Sequence, residues 1–243
     1  MGARLYTYAV ACALLAAPAH PAAGAPPAPP AIAQAGHADV RVRLALPNKA
    51  KDHPVPAVIW LESADGSAPP PFAPHPRYTL LQKNRMFMPH LLVVPVGATV
   101  SFPNADPFFH NVFSLFDGKR FDLGLYEAGS SKDVRFTREG VSYIFCNIHP
   151  EMSAVVVSLS TPLYSVNDGD SFDVHDVPPG DYTLHLWVEG VPGRALEPLG
   201  HPVHVATGTV DLGELRVPVI PERSMSHTNK FGMPYDPTAK PTY

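Results

Sequence analysis

The sequence predicts an all-β protein, an antiparallel sandwich or barrel, behind an export leader. Three observations point there. The chain has 30 Pro and 17 Gly among 243 residues, with Pro at more than twice its usual ~5% share, and Pro breaks helix interiors because it lacks the amide donor. Short runs of alternating apolar and polar residues recur along the chain, separated by turn residues. No amphipathic helical pattern stands out anywhere. Apolar residues make up 45% of the chain, enough to bury a core, which excludes a wholly disordered chain. The length allows one or two domains of roughly 100–200 residues each. Lys plus Arg number 18 against 22 Asp plus Glu, a formal charge of -4. With no basic excess to hold a phosphate backbone, no nucleic-acid partner is expected.

Residues 1–25 read as a secretory signal peptide: Arg4, an apolar stretch over 8–17, then small residues at Ala22, Ala23, Gly24 and Ala25. The apolar stretch is too short to span a membrane. The expected location is the periplasm or another extracytoplasmic space, with no stable membrane insertion. Cys12 is a poor candidate for a lipoprotein site, because Ala9-Val10-Ala11 before it matches the motif poorly and processing there would truncate the apolar run. Residues 26–38 are rich in Ala and Pro without periodicity, as in an extended linker.

Order begins near Asp39. Val40, Val42, Leu44 and Leu46 alternate with Arg41, Arg43 and Ala45, the signature of a half-buried strand, and 57–61 (Ala-Val-Ile-Trp-Leu) is a second. From 64 to 76 the chain is loop-like, since Pro69, Pro70, Pro71, Pro74 and Pro76 cannot donate to a ladder. Strand-like runs follow at 91–94, 99–102, 111–116, 133–136, 142–145 and 154–159, then at 172–174, 182–188, 202–206 and 209–217. Turn residues at 167–170 and 176–180 interrupt the later set. Residues 219–243 contain Pro221, Pro234, Pro237 and Pro241 without a pattern and are expected to be a disordered tail.

The chemistry concentrates at Cys146-Asn147-Ile148-His149-Pro150-Glu151-Met152. A tight loop between the runs at 142–145 and 154–159 can aim a thiol, an imidazole and a thioether at one point. His110, next to a strand start, supplies a second imidazole. Two His, one Cys thiolate and one weak axial Met form the donor set of a type 1 (blue) copper site. Soft sulfur favours Cu(I) and imidazole suits Cu(II), so a compromise geometry serves both states. With Cys12 in the leader, a processed chain keeps Cys146 alone, which excludes an internal disulfide and a dinuclear site with two bridging thiolates. Zinc fits less well because it seldom takes Met. A Cys-His nucleophile lacks an accompanying oxyanion-hole motif. None of the 12 His forms the His-x-His pair that a multicopper oxidase needs.

On these residues the sequence resembles the cupredoxins, and its Cys-x-x-His-x-x-Met loop is similar to the short ligand loop of amicyanin. The resemblance also takes in His110-Asn111-Val112, Phe87-Met88-Pro89, 94–97, 100–106, 121–124 and 136–140, so it covers about 78–159. It implies a Greek-key β-sandwich over 77–160 with His110, Cys146, His149 and Met152 as copper ligands. It further implies that Asn111 steadies the ligand loop and that an exposed edge of His149 passes the electron, ringed by Pro107, Phe108, Pro150 and Met88. Residues 168–182, with Gly-x-Phe and Pro-Pro-Gly-x-Tyr patterns, resemble a transthyretin-like or carboxypeptidase-regulatory, Ig-like β-sandwich. That resemblance implies a second, smaller domain of 39–65 plus 161–218, split by the copper domain, with Val58, Trp60, Phe172, Tyr182, Leu184 and Leu186 as core candidates. A tandem arrangement stays open.

Other residues invite weaker readings. The 167–173 stretch echoes a calcium loop but lacks its twelfth-position Glu and reads better as a hairpin turn. His175, His185, His201 and His204 have no diagnostic metal spacing. Met86, Met88 and His90 could receive copper during loading, or simply pack. Met225, His227 and Met233 read as tail composition. The expected function is an exported carrier of single electrons, not an enzyme, holding one type 1 copper ion and meeting a dehydrogenase or cytochrome transiently. The alternative is an envelope β-sandwich with a binding or structural role, in which copper is absent or only stored.

Overall fold

The computed structural model describes residues 36–45, 55–75, 77–115, 118–167, 169–218 and 228–235. The expected leader, the linker up to residue 35 and tail positions 219–227 and 236–243 lie outside these residues, as do Met225 and His227. The described part is almost entirely β. Strand β1 (Ala38–Ala45) buries Ala38, Val40, Val42 and Leu44 and turns Arg41 and Arg43 outward, so its alternation is that of a sheet with one wet face. Strand β2 (Ala57–Ser63) is buried on both faces at its start, which accounts for its unbroken apolar run.

Beyond the Pro-rich stretch come β3 (Tyr78–Thr79), β4 (Leu81–Lys83), β5 (Met86–Met88), β6 (Leu91–Pro95), β7 (Thr99–Pro103), β8 (His110–Ser114), β9 (Phe121–Tyr126), β10 (Ser131–Arg135), β11 (Gly140–Cys146) and β12 (Ser153–Leu159). A five-stranded sheet, β6-β12-β11-β8-β9, faces a three-stranded one, β10-β7-β3, with the β4-β5 hairpin beside them. The core between them includes Leu80, Val100, Phe102, Phe136, Ile144 and Cys146. The expected run at 111–116 is observed one residue earlier and shorter, as β8. Strands β3, β4, β5 and β9 have no counterpart among the expected runs, because they are short or lack clear alternation.

The chain continues with β13 (Tyr164–Val166), β14 (Ser171–Val177), β15 (Gly180–Val188), β16 (Pro202–Val205) and β17 (Gly208–Arg216). One helical turn, α1 (Gly193–Leu196), lies between β15 and β16. Strand β1 sits between β14, antiparallel, and β17, parallel. Strand β2 sits between β13 and β15, antiparallel to both. The two strands that precede the Pro-rich stretch therefore pair only with strands that follow residue 163. Their sheets enclose a separate core that includes Val42, Leu44, Ile59, Phe172 and Leu184.

A third apolar cluster joins the two sandwiches. Val58 and Trp187 from one pack with Val93, Val155, Val157 and Leu159 from the other. The Trp187 indole donates to the Tyr143 hydroxyl at 3.2 Å, and His90 meets Glu189 at 2.6 Å.

Candidate metal centre

The pairing of β8 with β11 sets up the site. Cys146, the last residue of β11, lies opposite Val112 in β8, which brings His110 at the start of β8 to the same end of the sheet. The chain then reverses tightly. The Met152 N–H donates to the His149 carbonyl at 3.0 Å, and the Cys146 N–H donates to the Met152 carbonyl at 3.3 Å. These bonds fold His149 back over Cys146.

The result is a cluster of three donors within 4.8 Å of one another, all buried. The Cys146 Sγ lies 3.7 Å from the His110 Nδ1 and 3.7 Å from the His149 Nδ1. The two Nδ1 atoms are 3.2 Å apart. Among the described residues no other group of three such side chains converges. Met152 is buried in the same core as Cys146.

The His110 ring is aimed by a carboxylate. Its Nε2–H donates to the Asp106 Oδ2 at 2.9 Å, so the Nδ1 lone pair is left facing the cluster. Asp106 is itself only 5% exposed. It is held by the N–H groups of Asn84 at 2.6 Å and Arg85 at 3.0 Å. Those two residues have φ near 55° and 56° and form the two-residue turn between β4 and β5, a left-handed pair that suits a tight hairpin. Burial alone would push the Asp106 carboxyl up. The N–H of Arg85, the His110 ring and the N–H of Asn84 outweigh it and hold the group below the usual carboxylate range.

The thiol is perturbed in the opposite sense. Burial pushes Cys146 up, against N–H groups of Asn111, Ile148 and His149 that point at the sulfur and draw it down. Burial, then the neighbouring His110, pushes His149 down and keeps it neutral. A buried thiol beside a neutral imidazole, with oriented amides already in place, is a pocket that gains from a cation able to displace the thiol proton. Two imidazole nitrogens and one thiolate fit copper chemically.

The expected exposed edge of His149 is a point of difference: the residue is only 2% exposed. The Phe108 ring packs at 5.5 Å from the His149 ring and 5.3 Å from the His110 ring. The Arg85 guanidinium in turn sits over Phe108 at 5.4 Å. Phe108 itself is positioned through its carbonyl, which accepts from the Asn104 side chain at 2.8 Å.

Asn111 does not bond the ligand loop through its side-chain amide. That amide donates to Asp122 at 2.7 Å, while its backbone N–H serves the Cys146 sulfur. The remaining candidates lie apart. His90 bonds Ser153 and Glu189, and Met86 and Met88 stand exposed on the β4-β5 hairpin. His175, His185 and His204 each face a single carboxylate, on Asp39, Glu62 and Asp181. His201 meets the Leu199 carbonyl. The Asn167 side chain accepts from the Ala57 N–H and donates to the Val55 carbonyl, a tie between strand ends. Sequence reading gave no role to Asp106, because an acid four residues before a His carries no signal until the β4-β5 turn is known. Nor did it find the contacts of Lys230 and Tyr235 described below.

No family model matches the chain. No curated protein matches it either. Several solved structures are similar to part of it. A purple cupredoxin from Nitrosopumilus maritimus is 26% identical over 34% of this chain and 99% of its own, with a TM-score of 0.31. A reduced amicyanin variant is 21% identical over 36% of this chain and 86% of its own, with a TM-score of 0.33. A Cu-containing nitrite reductase from Thermus scotoductus is 22% identical over 49% of this chain and 28% of its own, with a TM-score of 0.33. No helix among the described residues is long and apolar enough to cross a membrane.

Proposed function

We propose that the protein is an exported type 1 copper protein that carries single electrons between redox partners, with His110, Cys146, His149 and Met152 as ligands. The observation that carries this reading is the buried cluster of His110 Nδ1, Cys146 Sγ and His149 Nδ1, with the His110 ring held by Asp106. Bound copper would supply a one-electron couple between Cu(II) and Cu(I).

The chain's own residues do the rest. Asp106 fixes the ring and tautomer of His110. The amides of Asn111, Ile148 and His149 stabilise thiolate charge on Cys146. The surrounding core, with Phe102 and Met152 fully buried, excludes water and resists movement of the donors. Donors that stay in place when the charge changes favour fast exchange. Phe108 covers His149, so a partner would approach over its ring, in a small and short-lived interface with a dehydrogenase or a cytochrome. This role involves no bond chemistry by the protein.

The test is a visible absorption and electron spin resonance spectrum of the folded, reduced-thiol protein with one equivalent of Cu(II), repeated after a mild reductant. An intense blue thiolate-to-copper band that bleaches and returns on reoxidation is expected. Its absence would return the protein to a binding or structural reading.

A further inference from the structure

We propose that residues 228–235, near the C-terminal end of the chain, form a strap that braces the metal-site loop from outside and is a working part of that site. The inference rests on the copper reading for its meaning but not for its geometry.

Composition places these residues in a patternless tail, yet they make specific contacts. The Tyr235 hydroxyl donates to the Cys146 carbonyl at 3.0 Å. That carbonyl belongs to the donor residue itself, at the point where β11 ends and the ladder stops supplying partners. The Lys230 N–H donates to the Asn147 Oδ1 at 2.9 Å, and Asn147 is the residue directly after Cys146. The Lys230 ammonium reaches the Asp122 Oδ2 at 2.9 Å, while the other oxygen of Asp122 accepts from the Asn111 side chain at 2.7 Å. Asn111 is next to His110 and sends its N–H to the Cys146 sulfur. The strap thus touches the loop directly at 146 and 147, and touches the strand carrying His110 through Asp122.

The strap is also internally fixed. The Asn229 Oδ1 accepts from the N–H groups of Phe231 at 2.9 Å and Met233 at 3.1 Å, and the Asn229 N–H closes onto the Met233 carbonyl at 2.8 Å. A turn pre-ordered by its own bonds loses less entropy on seating, so its contacts count more fully toward holding the loop. Lys230 and Tyr235 are positioning residues: they act on the thiolate through its backbone.

The test uses the full-length chain with Tyr235→Phe, Asn229→Ala, and both together. The first readout needs no copper: the rate at which iodoacetamide alkylates Cys146 in the metal-free protein under native conditions. Each single variant should raise the rate several-fold, and the pair about tenfold or more, since Tyr235→Phe removes the part-buried bond to the Cys146 carbonyl and Asn229→Ala the exposed bonds that pre-order the turn. The second readout is transfer of copper from the loaded protein to a chelator, with the position of the visible band. Faster release and a shifted band are expected, whereas a tail that merely rests on the surface would move neither. Unchanged alkylation, release and band in the double variant would overturn the strap. If the unaltered protein shows no blue band while the variants are alkylated faster, the strap stands and the copper reading falls.

Discussion

Replacing Asp106 by Asn tests the role of the buried carboxylate most directly. The change keeps the size of the side chain and leaves an oxygen for the His110 Nε2–H, but removes a full negative charge. That bond is 2.9 Å long. Adding the width of the ring and a metal–nitrogen bond of about 2.0 Å puts the charge about 7 Å from the point the donors face. At an effective dielectric of about 20, one charge acting on one additional charge at that distance amounts to about 2.4 kcal/mol, or about 100 mV for a one-electron couple. The Asn84 and Arg85 N–H groups already offset part of the carboxylate charge, so a rise of about 50–100 mV is expected. The sign is fixed by chemistry: Cu(II) carries one more positive charge than Cu(I), and losing the anion destabilises it more. The amide also cannot accept all three bonds, which leaves one part-buried N–H of the turn without its partner and costs about 1 kcal/mol of folding stability. A redox titration followed at the visible band measures the first effect and urea unfolding the second. A folded, copper-loaded Asp106→Asn protein whose potential is unchanged or lowered would refute this account of the carboxylate.

Other consequences can be checked in parallel. Cys146→Ser should abolish the intense visible band while leaving the strand content intact by circular dichroism; a retained band would exclude thiolate ligation. On the proposed ligand set, Met152→Leu should keep copper bound but raise the potential, because losing even a weak electron-pair donor destabilises the more highly charged Cu(II) more than Cu(I); an unchanged value would argue against Met152 as a ligand. The His90 imidazole faces the Ser153 carbonyl at one nitrogen and the Glu189 carboxylate at the other, so only the protonated ring donates to both. The Glu189 bond first of all raises its pKa, against the opposing effect of burial. A raised value in the folded state means that the stabilisation is full below the ordinary value of 6.5 and is lost as pH rises through the folded value. The stability gap between the unaltered protein and His90→Gln should therefore narrow with rising pH in urea titrations, and a gap that widens would contradict it. Trp187→Ala removes a large side chain from the cluster between the two sandwiches and should cost about 3–5 kcal/mol. A loss below about 1 kcal/mol would mean that this cluster adds little to the fold.

What could be read along the chain was whatever local pattern encodes. The alternation of Val40, Val42 and Leu44 with Arg41 and Arg43 marks β1 because a strand's period of two shows directly in sequence. The donors Cys146 and His149 lie within one loop, and the chemistry of their side chains with His110 is readable without coordinates. The all-β class follows from many such runs and an excess of Pro. Strands β3, β4, β5, β9 and β13 escaped because two or three residues, or an irregular run, carry too little periodicity to register.

The tertiary structure decided what touches what. Nothing in β1 states that it will lie between β14 and β17, since alternation says which face is buried and not against which partner. Asp106 became a support for His110 only when a turn more than twenty residues upstream aimed two amides at it. His149 is covered by the Phe108 ring, which lies about forty residues before it in the chain. Residues 228–235 look like featureless tail in composition, and acquire a place because single hydrogen bonds from Lys230 and Tyr235 meet Asn147 and Cys146 across more than eighty residues. Sequence thus carried the strand class and the side-chain chemistry of His110, Cys146 and His149, which are local properties. The aim of the donors, their burial and their bracing are long-range, and depend on pairings that only the folded chain specifies.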